Sequence, residues 1–141
     1  MTARGGLHVL LVEDDDDTRE VLRLILESDG MCVTPAQDGL DALVQIEELR
    51  GRDAGAPYAI VLDYMMPRFS GAQFRERQLA NPAIAGVPVI LVSAVSDLPS
   101  QAAALHPFAV LQKPIDPDEL TAVVREACEA FLSRRITQGP V

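Results

Sequence analysis

The stretch HVLLVEDDDD, His8 to Asp17, sets an unbroken aliphatic run directly against five consecutive carboxylates, Glu13 to Asp17. A strand with one wet face alternates apolar and polar residues, whereas a continuous run of Val and Leu reads as a strand buried on both faces. Two carboxylates about 4 Å apart repel by roughly 4 kcal/mol at an effective dielectric near 20. Five in a row must spread into water, cap a helix or hold a cation.

Outward from that stretch, the run Leu7–Val12 is the first of five of strand length. The others are Met31–Thr34, Tyr58–Leu62, Pro88–Val92 and Phe108–Leu111. The first, third and fourth are nearly continuous in Val, Ile and Leu. The second is short, partly polar and followed by Pro35, which suits an edge strand. Helical spacing fills the intervals. Thr18–Glu27 aligns Val21, Leu22, Ile25 and Leu26, and Gly30 follows as a stop. Asp38–Arg50 aligns Leu40, Leu43, Ile46 and Leu49 and ends near Gly51. Ser70–Leu79 is polar with Phe74 as its main apolar anchor, and Ser100–Leu105 is a short Ala-rich segment. In Asp116–Phe131, Asp116 can cap, Pro117 suits the first helical position, and Leu120, Val123, Val124, Ala127 and Phe131 form a stripe. Five β-α repeats predict an α/β fold with a parallel sheet covered on both faces.

Composition narrows the function. The 141 residues fit one domain, and 48% hydrophobic content supports a core that the 4% aromatic share makes aliphatic. A formal charge of −9 argues against nucleic acid and against an anionic membrane surface as partners. No signal peptide or membrane span is read, and a cytoplasmic location is expected. Cys32 and Cys128 form no CxxC pair and are expected to be packed thiols. His8 and His106 are isolated and read as structural or solvated, and the Met65–Met66 pair reads as packing rather than sulfur ligation. Arg19 is placed to pair with acids of its own helix and is given no further role. The segment LRGRDAGAPY before the third strand reads as a loop.

In open α/β sheets, ligands bind outside the carboxyl ends of the strands, near the point where strand order reverses. Those ends carry Glu13 and Asp14, Asp63, Ser93 and Lys113. Three carboxylates match a hard divalent cation, for which Mg²⁺ with retained waters is the natural choice. The hydroxyl and ammonium match a phosphoryl group. Asp63, central among them, is the candidate nucleophile, because carboxylates can form aspartyl phosphates.

The pieces VLLVEDD, VLDYMMPRFSG, VILVSA and VLQKP, in that order, together with QDGLDAL after the second strand, resemble the receiver domain of two-component response regulators. The resemblance covers about Leu7 to Leu132, leaving 1–6 as an N-terminal extension and 133–141 as a short tail. It implies a flavodoxin-like, doubly wound (βα)5 fold with strand order 2-1-3-4-5. By resemblance, Asp63 accepts a phosphoryl group from a histidine kinase or histidine phosphotransfer protein. Glu13 and Asp14 hold Mg²⁺, joined by Asp63 and the backbone carbonyl of Met65, and Ser93 and Lys113 engage the phosphoryl oxygens. Pro114 is expected to follow a cis bond. Asp15 is expected to shape the turn and Asp16 or Asp17 to cap the first helix, Asp17 and Glu20 having capping-box spacing. Glu13 stands where Asp is more frequent, Ser93 where Thr is commoner, and Val110 where many relatives carry an aromatic that turns inward on activation. Met65 and Val95 are expected to flank the approach of a hydrolytic water.

The reading is a phosphoacceptor with at most weak self-phosphorylation and autodephosphorylation, not an enzyme in its own right. It signals or relays through a protein target, and the ten residues after Phe131 are expected to be too few for an output domain. A small phosphatase or phosphotransferase using an aspartyl phosphate is the enzymatic rival. Such enzymes often place a second Asp two residues on, where this chain has Met65. A receiver-like binding module without phosphorylation is the other rival, and the set Glu13, Asp14, Asp63 and Lys113 counts against it.

Overall fold

The structure, a computed structural model, describes residues 6–51, 57–66, 69–94 and 103–138. The order of elements is β1 (His8–Val12), α1 (Asp16–Ser28), β2 (Cys32–Ala36), α2 (Gly39–Gly51), β3 (Ala59–Asp63), α3 (Gly71–Leu79), β4 (Val89–Ser93), β5 (Ala109–Gln112) and α4 (Pro117–Gln138). The five strands are parallel and lie in the order β2-β1-β3-β4-β5. β2, carrying Pro35, is an edge strand as its composition predicts. Four helices stand among the described residues. Half of the segment 100–105, expected to be helical, lies outside them, as do residues 52–56 of the expected loop.

Period-two geometry divides the aliphatic strands between two cores. Val9, Leu11, Ala59, Val61, Ile90 and Val92 face Leu22 and Leu26 of α1 and Leu120, Val124, Ala127 and Cys128 of α4. Leu10, Val12, Ile60, Leu62, Val89 and Leu91 face Ala42 and Ile46 of α2 and Phe74 of α3. Both faces are therefore dry, which is why these strands carry no polar alternation. Cys128 is buried as expected, but Cys32, at the start of the edge strand, is exposed. On α2 the buried line runs through Ala42, Ile46 and Leu49, while Leu40, expected on the stripe, is half exposed.

Local chemistry sets the helix ends. α1 is capped by Asp15, whose side chain accepts from Thr18 N at 2.8 Å and Thr18 Oγ1 at 2.7 Å. The expected caps, Asp16 and Asp17, instead occupy the first turn, where carboxylates favour the positive end of the helix dipole. Glu20 closes no capping box with Asp17; it pairs with Arg23, which also holds Glu27. At the other end, Gly30 takes φ 90°, a conformation that costs a side-chain-bearing residue more. Arg125 of α4 reaches Asp29 Oδ2 at 2.7 Å and ties the two helices of that face together. α4 continues past Phe131, where the stripe was expected to end, to Gln138.

Candidate functional site

The strand-end residues meet at the carboxyl edge of the sheet, with one shift of register. Asp63 ends β3 as expected, paired to Val92, whereas Ser93 is not beyond β4 but occupies its last position, paired to Gln112. The ladder thus holds the backbone of both. Glu13 follows β1 directly and its N–H donates to Ala36 O at 3.1 Å, while Lys113 follows β5 and donates its N–H to Ser93 O at 2.8 Å. The peptide bond from Lys113 to Pro114 is cis, as the resemblance implies.

Glu13, Asp14 and Asp63 each offer a carboxylate oxygen, and these oxygens lie within 4.8 Å of one another. Glu13 and Asp63 are buried, and Asp14 faces solvent. Lys113 Nζ stands 3.0 Å from Glu13 Oε1 and 3.6 Å from Asp63 Oδ2. The shorter contact lacks the alignment of a hydrogen bond, so Glu13 Oε1 is buried with no hydrogen-bond partner among the described residues. Its other oxygen accepts from Asp15 N at 3.1 Å. Asp63 Oδ1 accepts from Met65 N at 3.2 Å, which folds the chain after β3 back over the carboxylate. Ser93 is fully buried beside it.

Burial and the neighbouring Glu13 charge push the Asp63 carboxyl up to about 7, against the pull of Lys113; hydrogen bonds with Asp14 and Glu13 favour its protonated form further. Burial pulls the Lys113 ammonium down, but the contact with Glu13 and the charges of Asp63, Glu13 and Asp14 outweigh it, and its pKa is raised. Three oxygens without a sulfur or imidazole among them, one of them buried and met by the Lys113 ammonium without a hydrogen bond, fit a hard divalent cation. Glu13, Asp14 and Asp63 are the side chains that would hold it.

Two contributors escaped the sequence reading. Arg19 Nη1 donates to the backbone carbonyl of Glu13 at 2.9 Å while Nη2 meets Asp16 Oδ1 at 2.6 Å, so it pins the acidic turn as well as pairing on its helix. Its i,i+3 spacing from Asp16 was the visible signal; the reach back to Glu13 was not. Gly71 begins α3 so close to β3 that an added Cβ would lie 2.9 Å from both Asp63 O and Tyr64 Cα. Met65 is exposed, and Val95 lies outside the described residues.

Beside the acids, an apolar groove of about 600 Å³ runs along α1, lined by Val21, Leu22, Ile25, Lys113, Pro114 and Ile115 among others. Val21, expected in the core, is half exposed on this wall. Among the described residues, no helix is long and apolar enough to cross a membrane.

Comparison with known proteins sets this geometry in a family. The family model described as "Response regulator receiver domain" matches residues 9–125. An uncharacterized 14.6 kDa protein of Leptolyngbya boryana is 34% identical over 133 residues, covering 93% of this chain and 97% of that protein. The cyclic di-GMP phosphodiesterase response regulator RpfG of Xanthomonas campestris is 36% identical over 83% of this chain but only 30% of its own length. The transcriptional regulatory protein CseB of Streptomyces coelicolor is 37% identical over 88% of this chain and 50% of its own length. Among solved structures, the receiver domain of Francisella response regulator 1452 superposes with a TM-score of 0.74 at 26% identity, covering 89% of this chain and 98% of that one. The chemotaxis protein CheY4 of Vibrio cholerae shares the fold with a TM-score of 0.77 at 22% identity, covering 87% of this chain and 99% of that one.

Proposed function

Because this chain belongs to the response regulator receiver family, we propose that it accepts a phosphoryl group on Asp63, from a histidine kinase or histidine phosphotransfer protein, in a Mg²⁺-dependent reaction. The observation that carries the reading is the gathering of Glu13, Asp14 and Asp63 oxygens within 4.8 Å beside the Lys113 ammonium.

Each residue has a chemical task. An oxygen of ionised Asp63 attacks phosphorus, a P–O bond forms, and the P–N bond to the donor imidazole breaks, the imidazole leaving with the electron pair and taking up a proton. Phosphoryl transfer needs little from a protein beyond positioning and neutralisation of charge. The Asp63 backbone is held by the β3–β4 ladder and its Oδ1 is oriented by Met65 N. Only the anion can attack, and an acid near 7 is partly protonated at neutral pH, so positive charge at the site also raises the attacking fraction. Lys113 supplies such charge, and moves from Glu13 and Asp63 to the phosphoryl oxygens. Glu13, Asp14 and Asp63, with the Met65 carbonyl, would hold Mg²⁺, which would supply further positive charge there. Ser93, through its hydroxyl, is the hydrogen-bond donor to the product. The phosphorylated site carries roughly −1.5 to −2 charges at pH 7, against which Lys113 remains as a counter-ion.

The donor docks on the α1 groove. That groove shares Lys113 with the acid cluster, and its exposed Val21 and Pro114 offer an apolar seat for a helix bearing the phosphohistidine. Protein output follows from the change at this edge, so the chain acts as a signalling phosphoacceptor rather than an enzyme, with a receiver domain over 7–132 in the cytoplasm.

Intact mass after treatment with acetyl phosphate and Mg²⁺ tests the assignment. A gain of about 80 Da, absent in Asp63→Asn and absent after EDTA, is expected. A gain in Asp63→Asn at the wild-type rate would place the phosphoryl group elsewhere.

A further inference from the structure

The opposite edge of the sheet carries a buried cation that the phosphoacceptor reading does not use. Arg75, on α3, is 7% exposed. Its guanidinium donates to Leu105 O and His106 O, each at 2.9 Å, and to Gln78 Oε1 at 2.7 Å. All three acceptors are neutral, and among the described residues no carboxylate pairs with it. Buried guanidinium groups ordinarily meet an anion, because hydrogen bonds to neutral acceptors satisfy donors without cancelling charge. Three donors are engaged, and the fork has others to give.

Arg75 lines a cavity of about 240 Å³ at the amino ends of β4 and β5. A second guanidinium, Arg134 of α4, lines the same cavity, together with His106, Gly86, Pro88 and Phe108. Elsewhere this chain carries an excess of acid, with a formal charge of −9, so two arginines around one concavity are a local reversal of sign. The cavity is of the order needed for a compact anion.

We propose that this cavity is a binding site for a compact oxyanion, of sulfate, phosphate or carboxylate type, held between the guanidinium groups of Arg75 and Arg134. Arg75 is preset by its bonds to Leu105, His106 and Gln78, so little side-chain freedom is lost on binding. Arg134, on the exposed surface of α4, closes the other side.

The test is a titration followed by the backbone amide signals of Gly86, Val87 and His106, with sodium sulfate in one arm and sodium succinate in the other at constant ionic strength. Saturable shifts at these three amides, with no matching response around Asp63, are expected. Arg134→Ala should weaken binding about tenfold, the loss of one charge-assisted hydrogen bond, and Arg75→Leu should abolish it. Gly86→Glu keeps both arginines. An added Cβ at Gly86 meets nothing within 4 Å, so the variant folds and sets a competing carboxylate at the rim. It should also abolish binding. Saturation by sulfate alone identifies a tetrahedral anion, and saturation by succinate extends the class to carboxylates. No saturation in either arm, or shifts unchanged by Arg134→Ala and Gly86→Glu, overturns the site.

Discussion

The two edges of the sheet bury charge in opposite ways. At the carboxyl edge, Glu13 and Asp63 are buried beside Asp14 and share one lysine, and one Glu13 oxygen has no hydrogen bond among the described residues. At the amino edge, Arg75 has three well-made bonds and its partner Gln78 donates to Ile84 O and Val87 O, each at 2.9 Å. One cluster is crowded and under-satisfied; the other is satisfied by hydrogen bonds but not neutralised. α3 joins them, with Gly71 against the Asp63 strand and Arg75 one turn later. The carboxyl edge should therefore gain stability when charge is removed, and the amino edge should lose it.

The largest effect on stability is expected at the amino edge. Arg75→Ala leaves Gln78 Oε1 without its donor in a buried setting, and the Leu105 and His106 carbonyls without theirs in a part-buried one. Unmade buried hydrogen bonds cost about 1–3 kcal/mol each, with water recovering part of that where the vacated space admits it. A loss of about 2–4 kcal/mol in urea unfolding is expected, with Arg75→Leu costing less because it refills the volume. If Arg75→Ala unfolds at the wild-type midpoint, the amino edge is not a stabilising network and the contrast fails.

The carboxyl edge should show the reverse sign. Asp63 titrates near 7 in the folded protein and near 4 in the unfolded chain, so the folded state holds its proton more tightly. As pH rises from about 4 to about 7, the unfolded chain releases that proton first and stability falls; above 7 the penalty is constant. Asp63→Asn removes it. In metal-free buffer at pH 8 the variant should be about 1–3 kcal/mol more stable than wild type, with the gap closing towards pH 4. Mg²⁺ should narrow the gap at pH 8 by stabilising wild type alone. A constant gap across pH would show that the carboxyl is not strained by its neighbours.

Much of this contrast was legible in the residue order, and the illegible part has a physical cause. Runs buried on both faces announced the strands, because a dry strand admits no polar alternation. Their ends drifted by a residue, since apolarity marks burial while hydrogen bonds mark the ladder. Asp63 and Ser93 are buried polar groups that take the last rungs. The cap of α1 fell on Asp15 rather than Asp16 or Asp17 because, in a run of like acids, the turn decides which one caps. Arg75 and Gln78 looked like the solvated face of a polar helix. Their acceptors lie at 84, 87, 105 and 106, and no local pattern shows that a distant carbonyl is waiting. Val110, standing where an aromatic was looked for, is partly exposed on β5, so an inward-turning ring has no counterpart at that position.

A kinetic effect sharpens the same comparison. The exposed thioether of Met65 stands two residues past Asp63 and cannot position a water by hydrogen bonding. Met65→Asn supplies an amide there. Loss of the phosphoryl group, followed with Mg²⁺ present and donor removed, should become up to about tenfold faster, the equivalent of about 1.4 kcal/mol of barrier. Equal decay in both proteins would free this position of any part in the lifetime of the signal.

The smallest effect lies where the two edges are joined. The Ser70 side chain accepts from Gln73 N at 3.1 Å, and Gln73 Oε1 accepts from Ser70 N at 2.9 Å, a reciprocal capping box at the start of α3. Removing an N-cap hydroxyl costs about 1 kcal/mol. Ser70→Ala should lower stability by that amount, and Gln73→Ala by less, because an exposed backbone N–H can turn to water. The box is shared, so the double variant should lose less than the sum of the two singles, a shortfall of about 0.5 kcal/mol in a double-mutant cycle. If α3 is the rigid link between the edges, loosening its first turn should disturb its close approach to the Asp63 strand and leave the Arg75 end in place. Amide exchange then rises at Met65, whose N–H bonds Asp63, while Val87 and Phe108, at the amino edge, keep their protection. Equal loosening at both edges would mean that the helix melts as a whole and that its two ends are not separately held.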